Sequence, residues 1–182
     1  MIDALISSKT RVKLLLKFFL NSNATAYLRG LESEFGESSN AIRLELNRLE
    51  NAGLLLADAN GNKKMFRANT NHPLFRELHN IILKYVGLDQ IIETVIQRLG
   101  DVQRVYLVGD FSKGKDSGVI DLIFIGDLDK AYLSNLTEKA EALVKRKIRY
   151  LIYSSADAEV LDLSEHQPEP LILWQNTTNP KS

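Results

Sequence analysis

The order of apolar and polar positions divides the chain into two stretches of different rhythm. From Ser8 to Leu20, Val12, Leu15, Leu16, Phe19 and Leu20 recur at helical spacing and predict an amphipathic helix that breaks at Asn21-Ser22-Asn23. Thr25 is an N-cap residue type, and it predicts a short helix through Phe35 with Leu28, Leu31 and Phe35 turned inward. Gly36 closes that helix, Ser38 caps the next, and a third helix runs from about Ser39 to Asn51 with Gly53 at its stop. Leu54 to Ala57 reads as a short strand, Asp58 to Asn62 as a hairpin turn, and Lys63 to Ala68 as the returning strand.

The rhythm then changes. Pro73 at a first-turn position opens a helix from Leu74 to about Tyr85, and Gly87 breaks it. Asp89 caps a further helix through Leu99. Val105 to Val108 and Val119 to Ile125 are continuous apolar runs of strand length, separated by a loop from Gly109 to Gly118. Asp129 to Lys145 is amphipathic, Ile148 to Tyr153 is a third strand and Leu171 to Trp174 a fourth. The expected organisation is residues 1–70 as one domain, 71–87 as a linker helix, 88–176 as a second domain and 177–182 as a tail.

Composition narrows the function classes. The chain has 182 residues and no cysteine, which excludes disulfides, thiolate metal sites and cysteine nucleophiles. No uncharged run has the length of a membrane span, because Lys9, Arg11, Lys13 and Lys17 interrupt the apolar start, so the expected location is cytoplasmic with no membrane partner. Net charge is zero, but the first 70 residues carry ten basic and seven acidic side chains. That excess of three is small, so the local placement of charge matters more than its total.

The third helix places its charge in a telling way. Ile42, Leu46 and Leu49 share one face, while Asn40, Arg43 and Asn47 fall opposite, with Ser39 beside them. A helix that reads a DNA groove needs this division: one side packed on its domain, the other presenting short polar and bidentate groups to base edges. Ser38 and Ser39, with the free N–H groups of the first turn, suit a phosphate. Lys63, Lys64 and Arg67 are expected at or near the tip of the hairpin, where they would touch backbone or minor groove. Leu44 lies close to the polar face, where a thymine methyl, the wing and a partner subunit are the contacts open to it.

The order helix, helix, turn, helix, hairpin, with SSNAIRLELNRLENAGLL followed by GNKKMFRANTNHPLFREL, resembles the winged helix-turn-helix regulators related to the ArsR group. The resemblance spans about Lys9 to Leu78. It implies binding to double-stranded DNA as a homodimer. The metal-sensing members use thiolates, which this chain lacks.

In the second domain, the run from Val108 to Ile123 is similar to the signature of the nucleotidyltransferase superfamily. In active members, two carboxylates two apart on a strand hold Mg²⁺ against a triphosphate, after a Gly-Ser turn. Two residues apart on a strand face the same side, which is why that spacing serves the chemistry. Here Gly109 keeps the glycine, Asp110 stands at the serine, Gly114 is the loop glycine, Val119 replaces the first carboxylate and Asp121 keeps the second. The stretch from Ile148 to Tyr153 supplies no third carboxylate. The resemblance therefore implies a degenerate nucleotide site without catalysis, metal or cofactor.

Other groups have simpler readings. Asp127 and Asp129 have the spacing of a metal pair but follow a strand, where Asp129 caps the next helix. Lys113 and Lys115 read as a solvated loop, and Trp174 as core or interface. His72, His79 and His166 show no ligand spacing, and His72 before Pro73 suggests a local structural role. The expected fold class is α+β, with an N-terminal winged helix-turn-helix, linker helices and a C-terminal nucleotidyltransferase-like small mixed sheet with flanking helices. The expected function is a DNA-binding transcriptional regulator. Its second domain would be non-catalytic and would dimerise or sense an unidentified small molecule or nucleotide. An active nucleotidyltransferase and an antitoxin-like partner module are the alternatives.

Overall fold

A computed structural model describes residues 6–159, 163 and 170–176. The expected tail at 177–182 and His166 lie outside the described residues. The fold is α+β, in two compact units: Met1–Tyr85 with Lys113–Lys115, and Val86–Ser112 with Asp116–Ser182.

The first unit opens with helix α1, Lys9–Leu15, continued by a wider π-helical stretch Leu16–Leu20. Ser8 caps it, its hydroxyl accepting from the Arg11 N–H at 3.2 Å. Leu14 and Phe18 are fully buried beside the expected stripe, so this helix is enclosed on more of its circumference than its periodicity suggests. Strand β1 follows at Thr25–Tyr27, then helices α2, Leu28–Phe35, and α3, Ser39–Asn51. Gly36 ends α2 at φ 64°, a conformation that costs other residues a Cβ clash.

Strands β2, Leu55–Asn60, and β3, Lys63–Ala68, form an antiparallel hairpin in which Asn60 pairs with Lys63. Helix α4 covers Phe75–Val86. The core gathers Phe18, Phe19, Leu31, Ile42, Leu46, Leu55 and Phe66.

The structure corrects two expectations in this unit. Thr25 does not cap a helix. It begins β1, which pairs with β3 in the register Thr25 to Arg67, and α2 starts three residues later without a side-chain cap. The partner strand lies some forty residues downstream, and its pull outweighs the local capping preference of Thr25. The hairpin turn is also shorter than Asp58–Asn62. The strands run to Asn60 and from Lys63, leaving only Gly61 and Asn62 between them. Gly61 stands at φ 58°, so one glycine is enough to reverse the chain.

The second unit opens with helix α5, Leu88–Ile91, continued through Ile92–Ile96 and Gln97–Leu99. Asp89 lies inside its first turn and Gly87 at its cap position, so Asp89 is not the expected N-cap. Strands β4, Val102–Val108, β5, Val119–Gly126, β6, Lys147–Tyr153, and β7, Leu171–Gln175, stand in the order β6-β5-β4-β7. The expected loop after β4 begins with a helical turn, α6, Gly109–Ser112. β5 and β6 are parallel, joined through helix α7, Lys130–Val144; the other neighbours are antiparallel. Asp129 caps α7 as expected, accepting from the N–H groups of Ala131 and Tyr132 at 2.8 and 3.0 Å. Val105, Leu107, Ile120, Leu122 and Phe124 form one buried side of the sheet, and Ile123 and Ile125 are buried on the other.

Candidate nucleic-acid interface

Helix α3 divides its faces sharply. Ile42, Leu46 and Leu49 are buried, while Asn40, Arg43, Leu44 and Asn47 are exposed, Leu44 to 50%. The Ser38 hydroxyl accepts from the Ala41 N–H at 3.2 Å, which fixes where the helix begins. Ser38 is exposed and Ser39 half-buried at the same end.

One acid on this helix is buried: Glu45, 4% exposed. It receives the Arg11 guanidinium through Nε at 2.8 Å and Nη2 at 3.3 Å, and Arg48 Nη1 at 3.0 Å. Burial pushes its carboxyl upward, but the bonds from Arg11 and Ser8 and the charges of Arg11 and Arg48 outweigh it, leaving the group below its ordinary value of 4.5. Glu45 thereby ties α3 to α1. The sequence offered no signal for this, because an isolated Glu on a helix reads as solvated.

A groove of about 560 Å³ runs between α3, the hairpin and the β1–α2 junction. Arg29, Arg43 and Lys63 line it with Asn47, Asn62 and Tyr27. Lys63 Nζ stands 4.3 Å from the centre of the Tyr27 ring. None of Arg29, Arg43 and Lys63 has an ion-pair partner among the described residues. Unpaired cations on one wall repel one another and favour an anion between them.

The other expected wing cations are placed differently. Lys64 also lines the groove, but it is bound to Glu50 at 2.7 Å. Arg67 is set back from the tip, level with Thr25 and Leu56, and is bound to Asp58 at 3.1 Å. Its distance from the tip follows from the short turn: Lys63 and Lys64 adjoin it, and Arg67 comes three residues after Lys64. Tyr27 and Arg29 are groove residues that the sequence reading missed. Only the pairing of β1 with β3 brings them beside the hairpin.

The second unit contains the other set of singled-out residues. Val119 and Asp121 share one side of β5, as alternation requires. Gly109 follows β4 and opens α6 at φ 68°, and a Cβ there would stand 2.5 Å from Asp121 Oδ2, so only glycine allows this approach. Asp110 follows in the helical turn. On β6, Arg149 lies opposite Asp121 and grips its carboxylate with two bonds of 2.6 and 3.0 Å. The Asp121 bond and charge, with the more distant charge of Asp110, hold the Arg149 guanidinium above its ordinary value. The Asp121 carboxylate is thus already neutralised within the chain. Gly114, at φ 78°, belongs with the three-residue segment grouped with the first unit.

The remaining groups are engaged locally. His72 Nδ1 accepts from the Leu74 N–H at 3.1 Å, and His79 Nδ1 donates to the Phe19 carbonyl at 2.6 Å. Asp127 accepts from the Ser155 hydroxyl at 2.9 Å. Among the described residues, no three His, Asp or Glu side chains converge on a metal position, and no helix is long and apolar enough to cross a membrane.

No family model and no curated protein matches the chain. Several solved structures show slight likeness. The Shewanella oneidensis HEPN toxin in complex with its MNT antitoxin is 15% identical at TM-score 0.36, over 50% of this chain and 71% of that one. Reduced HlyU from Vibrio cholerae N16961 is 14% identical at TM-score 0.35, over 50% and 82%. The toxin–antitoxin MntA-HepT is 15% identical at TM-score 0.35, over 50% and 71%. Likeness at this level says nothing of what the chain does.

Proposed function

We propose that the first unit binds double-stranded DNA and that the protein is a DNA-binding transcriptional regulator of the winged-helix kind. The observation that supports this is the groove beside α3, where Arg29, Arg43 and Lys63 converge without acidic partners and Asn47 stands among them. Arg43 and Asn47 carry the bidentate groups that base edges require, and Arg29 and Lys63 line the same groove with charges suited to phosphate. In this reading the second unit is non-catalytic. Val119 cannot bind a metal, and Arg149 occupies the Asp121 carboxylate. Its role is then sensing of a small molecule or nucleotide, or dimerisation.

The test is a titration of genomic DNA fragments at several salt concentrations, wild type against Arg43→Ala. If Arg43 reads a base directly, the variant should bind its specific site more weakly by about 1–3 kcal/mol, roughly tenfold to a hundredfold. No binding by the wild type, or equal binding by the variant, overturns the reading.

A further inference from the structure

The groove beside α3 has a lining that phosphates do not need. Arg29, Arg43 and Lys63 serve an anion, but much of the rest is apolar. Leu46 and Phe66 are buried, at 1% and 4% exposure, and Tyr27 and Leu28 are half-buried. A phosphate oxygen gains nothing from such a lining, and a base edge held by Arg43 or Asn47 does not require it. The space of about 560 Å³ falls inside the roughly 300–1,000 Å³ of sites that take small molecules.

The groove is shaped before any ligand arrives. Leu46 belongs to α3 and Phe66 to β3, the middle strand of its sheet, and both are fixed by core packing. The Tyr27 ring is held as well. Lys63 Nζ stands 4.3 Å from its centre, and a Cβ at Gly30 would come within 3.1 Å of its Cε1, so the ring lies close against α2.

Charge selects the occupant. No acidic side chain lines the groove, and its three unpaired cations are joined by the amides of Asn47 and Asn62. A neutral apolar molecule would leave the cations unanswered. A bare oxyanion would leave the apolar lining wet. A planar ring carrying one anionic group satisfies both halves.

We infer that this groove is a binding site for a small aromatic anion, a ring bearing a carboxylate, sulfonate or phosphate, and that its occupation excludes DNA. The exclusion follows because the ligand and the DNA backbone need the same cations. It rests on the DNA-binding reading; the site itself does not.

The probe is anilinonaphthalene sulfonate, followed by its fluorescence on the full chain, with circular dichroism melts confirming that each variant is folded. Binding is expected to saturate at one site per chain, and Arg29→Ala combined with Lys63→Ala should weaken it about tenfold or more. Binding that does not saturate, or that the double variant leaves unchanged, overturns the site. Naphthoate should displace the probe at far lower concentration than inorganic sulfate, which has the charge without the ring. Equal displacement by the two overturns the aromatic assignment. The genomic fragments of the DNA titration should release the bound probe. Fragments and probe bound together without competition overturn the exclusion and leave the DNA reading standing. If no fragment binds the wild type, the DNA reading and the exclusion fall together, and the probe titration still decides the site.

Discussion

At the scale of single residues, the least expected group is Glu45. Its oxygens are shared between Arg11 and Arg48, and its removal would leave Arg11, beside it on α1, without its acid. Glu45→Ala should cost about 1–3 kcal/mol at neutral pH. The carboxyl titrates below 4.5 in the folded chain, so its contribution is fully present above that value and is lost as pH falls through the folded value. Glu37 behaves alike, held below its ordinary value first by the Lys13 bond. Urea unfolding of wild type and Glu45→Ala should therefore differ most at neutral pH and converge in strong acid. A gap that persists unchanged at low pH would contradict this role for the carboxylate. Periodicity could not have found Glu45, because its burial depends on Arg11 arriving from 34 positions away.

At the scale of elements, α3 shows what a sequence can and cannot specify. Its limits, its Ser38 cap and its buried Ile42, Leu46 and Leu49 are all local consequences of spacing and capping chemistry, and they were legible. The groove beside it was not, because Tyr27 reaches it only through β1, a three-residue strand whose partner is distant in sequence. For the same reason the sequence puts Arg67 near the tip, and only the strand register sets it back. The hairpin therefore offers one groove cation free of an acid, and this has a measurable side. Lys63→Ala should lower the slope of log affinity against log salt by about one, with little change in sequence preference. Arg67→Ala, whose charge is held by Asp58, should leave that slope close to the wild type.

At the scale of the whole molecule, the two units carry their informative residues in opposite states. In the first, cations stand without acids; in the second, the acid that a metal would need is gripped by a guanidinium. The strand bearing Val119 and Asp121 was legible as a pattern, whereas Arg149 became meaningful only once β6 was known to run parallel beside β5. Titration calorimetry with Mg²⁺ and a nucleoside triphosphate should give no metal-dependent turnover. Arg149→Gln should not create any, because Val119 still offers no ligand. Robust turnover by the wild type would refute the non-catalytic assignment. The placement of β3 has one more consequence. It is the middle strand of its sheet, with β1 on one edge and β2 on the other, and Tyr27 at the end of β1 supports Lys63. On the proposed reading, a hairpin braced in this way meets DNA with β3 already paired on both sides. Docking should then proceed with little loss of conformational entropy, and the β3 amides should resist hydrogen exchange to the same degree before and after DNA is added.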